Sequence, residues 1–412
     1  MKSNRLTIRT LQVLTILCLR WGPVLAEDTF WGNNGGNWLS PQYWNPIMPS
    51  FADSVYVVGS IDLAAGAAAA GHVWLTDIWG STMNHTGGSL KTNTLNIADE
   101  ADSRGTYYLS GTANLDAGSI LIGNYGTGVF FQDGGTNRAG NMTLGYKAGS
   151  SGTYRLSAGD LLIDGNLIVA HRSVSGLLPA STGSFAQTGG AVTVGGNITL
   201  ALEGPSSGEY ALLGGILKTA GLRIGYYGHG SFYLVGQRAA VTVTDHLFVG
   251  LYGQFAASPG SVIRMDGAYL DNWSNNPANL DGLNNLTLSF EKGTQQLPLT
   301  FEVAGADRGP DEQWFQSNFA LDGLIVGDLV PANVRLVNFR DNVPGRNEAL
   351  YVKAFRLGSG SRLDLNGLNL YCLNFNDLGG TIDLNGGRFV LVPEPASLLL
   401  LILGVPFAQK RR

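Results

Sequence analysis

Gly105-Thr-Tyr107, Gly128-Val-Phe130, Gly152-Thr-Tyr154, Gly183-Ser-Phe185, Gly208-Glu-Tyr210 and Gly230-Ser-Phe232 are six openings of one repeat. Each is followed by a second signature, apolar-x-apolar and then Gly or Ala. These are Ile120-Leu-Ile122-Gly123, Met142-Thr-Leu144-Gly145, Leu167-Ile-Val169-Ala170, Ile198-Thr-Leu200-Ala201, Leu222-Arg-Ile224-Gly225 and Leu247-Phe-Val249-Gly250. The lead glycines are 23, 24, 31, 25 and 22 residues apart, and self-similarity at such a period marks the coils of a solenoid. Alternation shows that the units are strands. In Gly152-Thr-Tyr-Arg-Leu156, Tyr154 and Leu156 share a face and Arg155 points the other way. Glycine recurs where the chain must bend with positive φ or has no room for a Cβ.

Stacking such coils places like residues over like, about 4.8 Å apart. Tyr107, Phe130, Tyr154, Phe185, Tyr210 and Phe232 should form a continuous aromatic column, each ring pair contributing ~0.5–1.5 kcal/mol beyond burial. Two residues on, Leu109, Gln132, Leu156 and Gln187 alternate, which suggests an older two-coil repeat; Gln132 and Gln187 read as an amide ladder between stacked strands, with ligand binding as the alternative. The insert His171–Thr182 breaks the period and is the array's most plausible contact loop.

Outward from the array, Leu95-Asn-Ile97-Ala98 supplies an imperfect leading coil. The expected fold class is therefore all-β, a parallel β-helix of about six to seven coils over 80–260. A tryptophan-rich segment, 27–79, precedes it, with Trp31, Trp38 and Trp44 reading as an end cap over the open edge or as an aromatic sugar platform. After Gly253 the regularity fades, and 261–392 reads as a second β-rich domain. It ends in a tandem, Leu363-Asp-Leu-Asn-Gly367 and Ile382-Asp-Leu-Asn-Gly386, whose Asp364 and Asp383 suggest either a cation ladder or two solvated carboxylates.

The composition fits this reading. Glycine at 58 residues is about twice ordinary usage, and charged residues at 14% are sparse. Residues 1–26 have a basic start at Lys2, Arg5 and Arg9, an apolar core, and Val24-Leu25-Ala26 before Glu27; that order is a secretory signal cleaved between Ala26 and Glu27. Without 1–26 and 393–412 the body keeps 19 basic and 30 acidic residues, a net of −11, which argues against nucleic acid. Only Cys372 remains in the body, a small buried apolar residue rather than a reactive thiol.

The chain ends Val392-Pro393-Glu394-Pro395-Ala396-Ser397, then an apolar stretch to 408, then Lys410-Arg411-Arg412. Pro-Glu-Pro is stiff and extended, and terminal cations favour the cytoplasmic side of a membrane. The apolar stretch of about 13 residues is shorter than the ~20 that span a bilayer. This tail resembles the PEP-CTERM sorting signal of exported bacterial proteins, and the order matches over the last 21 residues. The resemblance implies export, transient inner-membrane anchoring and processing by an exosortase-type membrane peptidase at the signal Pro393, Glu394 and Pro395. Delivery to the cell surface or the extracellular polymer matrix follows. Residues 28–250 are also similar to the β-strand repeats of autotransporter-associated and planctomycete-type surface proteins.

A catalytic alternative, a secreted β-helix polysaccharide lyase or hydrolase, needs carboxylates, or Asp with Arg or Lys, on one strand column over adjacent coils. Asp116, Asp133, Asp160, Asp164, Glu203, Glu209 and Asp245 fall at unlike repeat positions, with Glu203 and Glu209 on the rim of a turn. The five histidines lack metal spacing. No catalytic, cofactor-binding or metal residue is assigned from the sequence. The loop Asp307-Arg-Gly-Pro-Asp-Glu-Gln-Trp314 is the densest polar cluster with an aromatic and the first place to look for a ligand. The expected function is a non-enzymatic surface or matrix protein with a structural or adhesive solenoid, and extracellular polysaccharide as a candidate partner. The alternatives are the lyase or hydrolase and a carbohydrate-binding protein.

Overall fold

The structure, a computed structural model, describes residues 28–393 except 33, 46, 172–178 and 237. Three parallel ladders wind around one core. Ladder A stacks 28–31, 54–57, 72–75, 94–97, 119–122, 141–144, 167–169, 197–200, 221–224, 246–249 and 269–272. It continues through 299–302, 333–337, 362–364 and 381–383. Ladder B carries the Gly-x-aromatic strands and ladder C the strands between, from 67–70 to 374–377. The expected all-β parallel solenoid is present. Its coil count is not the expected six to seven but about 14.

The difference has a physical cause. Beyond Gly253 the stacked residues of ladder A, Leu247, Leu270, Phe301 and Leu336, are 23, 31 and 35 apart, and then Val334, Leu363 and Ile382 are 29 and 19 apart. Strand pairing tolerates loops of any length between rungs, so the period vanishes while the stack continues. Here buried carboxylates tie down the long connecting loops, alongside corner glycines of positive φ such as Gly267, Gly293, Gly327 and Gly360. Glu291 accepts the backbone N–H groups of Leu329 and Val330, Glu302 that of Arg340, and Glu348 those of Asn342 and Val343. Ladder B also gives way locally. The 3-10 stretch Pro277–Asn285 lies on the strand Gly253–Ala257, with Asn285 Nδ2 donating to Ala257 O.

The two glycine signatures have different causes. The residue after the second signature turns the corner with positive φ, between 59 and 70° at Ala98, Gly123, Gly145, Ala170, Ala201 and Gly225. The lead glycine lacks room instead. A Cβ on Gly152 would sit 2.1 Å from Ile122 O and 2.4 Å from Gly145 N, both backbone atoms.

The aromatic column stands as expected and gains a seventh ring. Tyr107, Phe130, Tyr154, Phe185 and Tyr210 stack at centroid distances of 4.5 to 4.9 Å, and Phe232 and Phe255 follow at 5.6 and 5.9 Å. The glutamines form no ladder, because they lie two coils apart. Gln132 Oε1 accepts the hydroxyl of Tyr154 and Gln187 Oε1 that of Tyr210 at 2.7 Å, while their Nε2 atoms donate to Asp160 O and Ile216 O. His85 Nδ1 meets the hydroxyl of Tyr107 at 2.8 Å from the same position one coil earlier. A tyrosine in the column thus requires a polar residue two places after the ring of the preceding coil. Phenylalanine takes Leu there. An amide stack does occur at another corner, where Asn141 Oδ1 accepts from Asn166 N and Asn166 Oδ1 from Asn197 N.

Burial drives the tyrosines' pKa values well up and lowers that of His85 to about 4. Because the unfolded histidine titrates near 6.5, the unfolded chain binds the extra proton first as pH falls. The contribution of neutral His85 is complete above pH 6.5 and is lost toward pH 4, on the order of 3 kcal/mol. Urea melts at pH 7.0, 5.5 and 4.5 should show that loss, and H85Q should flatten it; parallel curves would refute the assignment.

At the first coil, Trp31, Trp38 and Trp44 are 0, 1 and 5% exposed. Trp31 Nε1 donates to Ser60 O and Trp44 Nε1 to Trp38 O, and the rings meet edge to face. The strand Trp44–Asn45 pairs antiparallel with Asp28–Trp31, covering the edge of the stack. With no ring face exposed, these tryptophans offer no platform for a sugar.

Candidate functional site

The outward side of ladder A gathers the chain's most varied chemistry over four adjacent rungs. Inward residues Leu222, Leu247, Leu270 and Phe301 hold these strands on the core. Alternation then puts Arg223, Phe248, Asp271 and Glu302 in register on the outer face. His246 and Tyr269 occupy the neighbouring outer position, and His246 fills the space above Gly221, where a Cβ would lie 2.4 Å from its ring.

Hydrogen bonds fix the polar groups. Arg223 Nε donates to His246 Nε2 at 2.8 Å, so His246 carries its proton on Nδ1 and presents it to Asp245 Oδ2 at 2.7 Å. The Arg223 guanidinium lies over Tyr226, which meets Phe248, which meets Trp273. Trp273 Nε1 donates to Asp271 Oδ1 at 2.8 Å, and Arg340 lies 3.6 Å over the Trp273 ring. Glu302 Oε1 accepts Arg340 N at 2.8 Å.

The two stacked carboxyl groups differ in environment. Burial raises Glu302 to about 7, helped by the charges of Asp271 and Glu348 and opposed by the N–H groups of Arg340 and Phe339. Burial also raises Tyr269, with Asp245 and Asp271 adding to it. A proton-holding acid beside a carboxylate is the kind of pair that serves acid–base chemistry. Glu302 is only 2% exposed, however, and the 338–340 backbone roofs it. In its present form the face suits recognition of hydroxyl and carboxylate groups by Arg223, Asp271 and Tyr269 better than proton transfer.

Sequence reading missed this column because Arg223 lies in the regular array while Asp271 and Glu302 lie beyond its last lead glycine. A signal was available: Phe301-Glu-Val303 repeats the apolar-x-apolar form of Leu222-Arg-Ile224.

The expected ligand loop has a structural role. Asp307 accepts Tyr371 OH at 2.8 Å and Asn369 Nδ2 at 2.7 Å, Tyr351 OH bridges Arg308 N and Gly309 O, and Arg308 stacks on Trp314. Phe315, Tyr351, Tyr371 and Val392 form a small core beneath it. Asp364 and Asp383 stack in register but are neither a cation ladder nor merely solvated. Arg335 pairs with Asp364 at 2.8 Å and Arg362 with Asp383, each arginine coming from the rung before, and Asn385 Nδ2 also donates to Asp364. Their Asn-Gly turns have positive φ at both residues, Asn366-Gly367 and Asn385-Gly386. Glu203 and Glu209 are exposed. Cys372 is buried, which pushes its thiol up to about 11. In the insert, 172–178 lie outside the described residues, and His171 packs on Tyr146.

Among the described residues no three His, Cys, Asp or Glu side chains converge as a metal cluster, and no helix is long and apolar enough to cross a membrane. Pro393 follows the last strand, Arg388–Leu391; Glu394, Pro395, Ala26 and Glu27 lie outside the described residues. No protein-family model, curated protein or solved structure matches the chain.

Proposed function

We propose that this chain is an exported bacterial surface or extracellular-matrix protein whose solenoid is a structural or adhesive rod, sorted by its Pro-Glu-Pro tail. One observation carries the reading: the stacked body runs without interruption to Leu391, and the sorting-type segment begins two residues later at Pro393. A tail at the very end of a rod would hold its last coil at the membrane and present the rest outward. Replacing Pro393, Glu394 and Pro395 by alanine should leave the protein cell-associated in a membrane fraction. Unchanged surface delivery would defeat the sorting reading.

The outer column Arg223, Phe248, Asp271 and Glu302 favours a second reading, a carbohydrate-binding or carbohydrate-cleaving face. Incubation with acidic polysaccharides separates the two. Retention on the polymer that R223A weakens supports binding, and release of unsaturated or reducing ends that D271N abolishes supports an enzyme. Neither outcome leaves the rod reading alone.

A further inference from the structure

The two ends of the stack are closed differently. At the first coil the strand Trp44–Asn45 pairs along the edge of ladder A, and the buried rings of Trp38 and Trp44 meet edge to face there. The last coil has three strands, 374–377 on ladder C, 381–383 on ladder A and 388–391 on ladder B. Among the described residues none of them has a strand on its far side. Their inward side chains Phe375, Ile382 and Phe389 form the last layer of the core and are only partly buried. Leu378, Leu384 and Leu391 around this face are 51, 49 and 56% exposed. Bare backbone N–H and C=O groups around an open apolar layer are a template for further strands, and a solenoid needs its terminal coils covered.

The charges of this end face fit a second copy of itself. The body's 19 basic and 30 acidic residues, a net of −11, set most of its surface against self-association, but this end is balanced. Asp383 is paired with Arg362. Asp377 and Arg388 are exposed, and neither is in an ion pair among the described residues. Asp377 Oδ1 accepts only the N–H groups of Gly379 and Gly380, at 2.9 and 3.1 Å. The coil runs from 374–377 through the corner 378–380 to 381–383, then through the corner 384–387 to 388–391. A two-fold axis through the middle of 381–383 therefore lays that strand antiparallel on its mate, Ile382 over Ile382, and exchanges the two corners. Asp377 of one copy then comes to the same corner as Arg388 of the other, and 374–377 runs antiparallel to 388–391.

We infer that this end is a homodimer interface, at which two copies meet C-terminal face to C-terminal face by antiparallel strand pairing around a shared apolar layer. Like faces meeting across a two-fold axis make a closed pair. Head-to-tail stacking, which would run on as a filament, needs a bare edge at both ends, and Trp44–Asn45 occupies that edge at the first coil. The same axis passes through the corner where 388–391 ends, next to Pro393. Both tails therefore leave on one side of the pair and stay accessible for sorting. The inference goes beyond that reading and does not rest on it: sorting is judged by delivery and pairing by mass, and either can fail alone.

The test is sedimentation velocity of the purified full chain over a dilution series. A reversible monomer–dimer equilibrium is expected, with hydrogen exchange across 374–391 slowed where the dimer forms. L384D/L391D changes two side chains that are about half exposed in the single chain, so it should keep the parent's circular dichroism and sediment as a monomer. Should it misfold, R388D at an exposed position provides the same readout. R388D and D377R should each weaken the dimer by about tenfold or more, and combining them should restore it, because the pair is then swapped across the interface. L399D/L401D, in the apolar tail, should leave the dimer intact. A chain monomeric at every concentration, or species growing beyond two copies, would overturn the inference. So would dimers unaltered in L384D/L391D, or dimers lost in L399D/L401D, which would mean that the tail joins the copies. A charge swap that restores nothing would overturn the two-fold placement.

Discussion

Substituting valine at Gly152 should unfold the middle of the rod. Ile122 O, Gly145 N and Leu144 Cα lie 2.1, 2.4 and 2.8 Å from the place of its first side-chain carbon. These are backbone atoms of the two preceding coils, which cannot rotate aside as a side-chain tip would. Overpacking of this kind costs about 1–3 kcal/mol where side chains can shift and more where backbone must; we expect about 4 kcal/mol or more. In a stacked array each coil depends on its neighbours, so the loss is local in origin and spreads to adjoining coils. Hydrogen exchange of G152V should show lost protection across 127–169 and 182–187, with the coils nearest 54–75 changed least. Gly32 provides the control, since nothing lies within 4 Å of its Cβ position and its φ is not positive. G32A should melt with the parent. Intact protection in G152V would mean that the lead glycines are not there for want of space.

The second large effect is a coupling. Y154F removes a hydroxyl and leaves Gln132 Oε1 buried without a donor, at a cost of about 1–3 kcal/mol. Q132L leaves the Tyr154 hydroxyl proton unplaced, although Asn137 Nδ2 still donates to its oxygen at 3.0 Å. The double variant should recover the part of the loss that comes from Gln132, because Phe over Leu is the arrangement already found where Phe130 follows Leu109, and Phe185 follows Leu156; buried Asn137 Nδ2 loses its acceptor in both variants that lack the hydroxyl. A double-mutant cycle in urea should give an interaction energy of about 1–2 kcal/mol. Additive losses would show that the alternation of Tyr and Phe is not tied to the alternation of Gln and Leu.

Much of this solenoid is legible in its sequence. The class followed from two signatures in step, because a coil that closes on itself must turn at the same places each time. The aromatic column followed because rungs at strand spacing put like on like. What could not be read was the partner of Gln132, since one coil's amide serves the next coil's tyrosine and the relation is diagonal rather than level. Coil number was also illegible past Gly253. A ladder constrains which residues pair and not how many residues lie between rungs, so the 35 residues from Phe301 to Leu336 erase a period that the backbone hydrogen bonds preserve.

The candidate site shows the same division. Alternation in Leu222-Arg-Ile224 already turned Arg223 outward, but its neighbours are set by stacking across 23 and then 31 residues. Sequence by itself determined the β-solenoid and its glycine corners, because these depend on local sterics and composition. Only the tertiary structure decided how many coils there are and what Gln132 serves, and only it placed Asp271 and Glu302 beneath Phe248 and Arg223, because register between distant strands is a property of the whole stack.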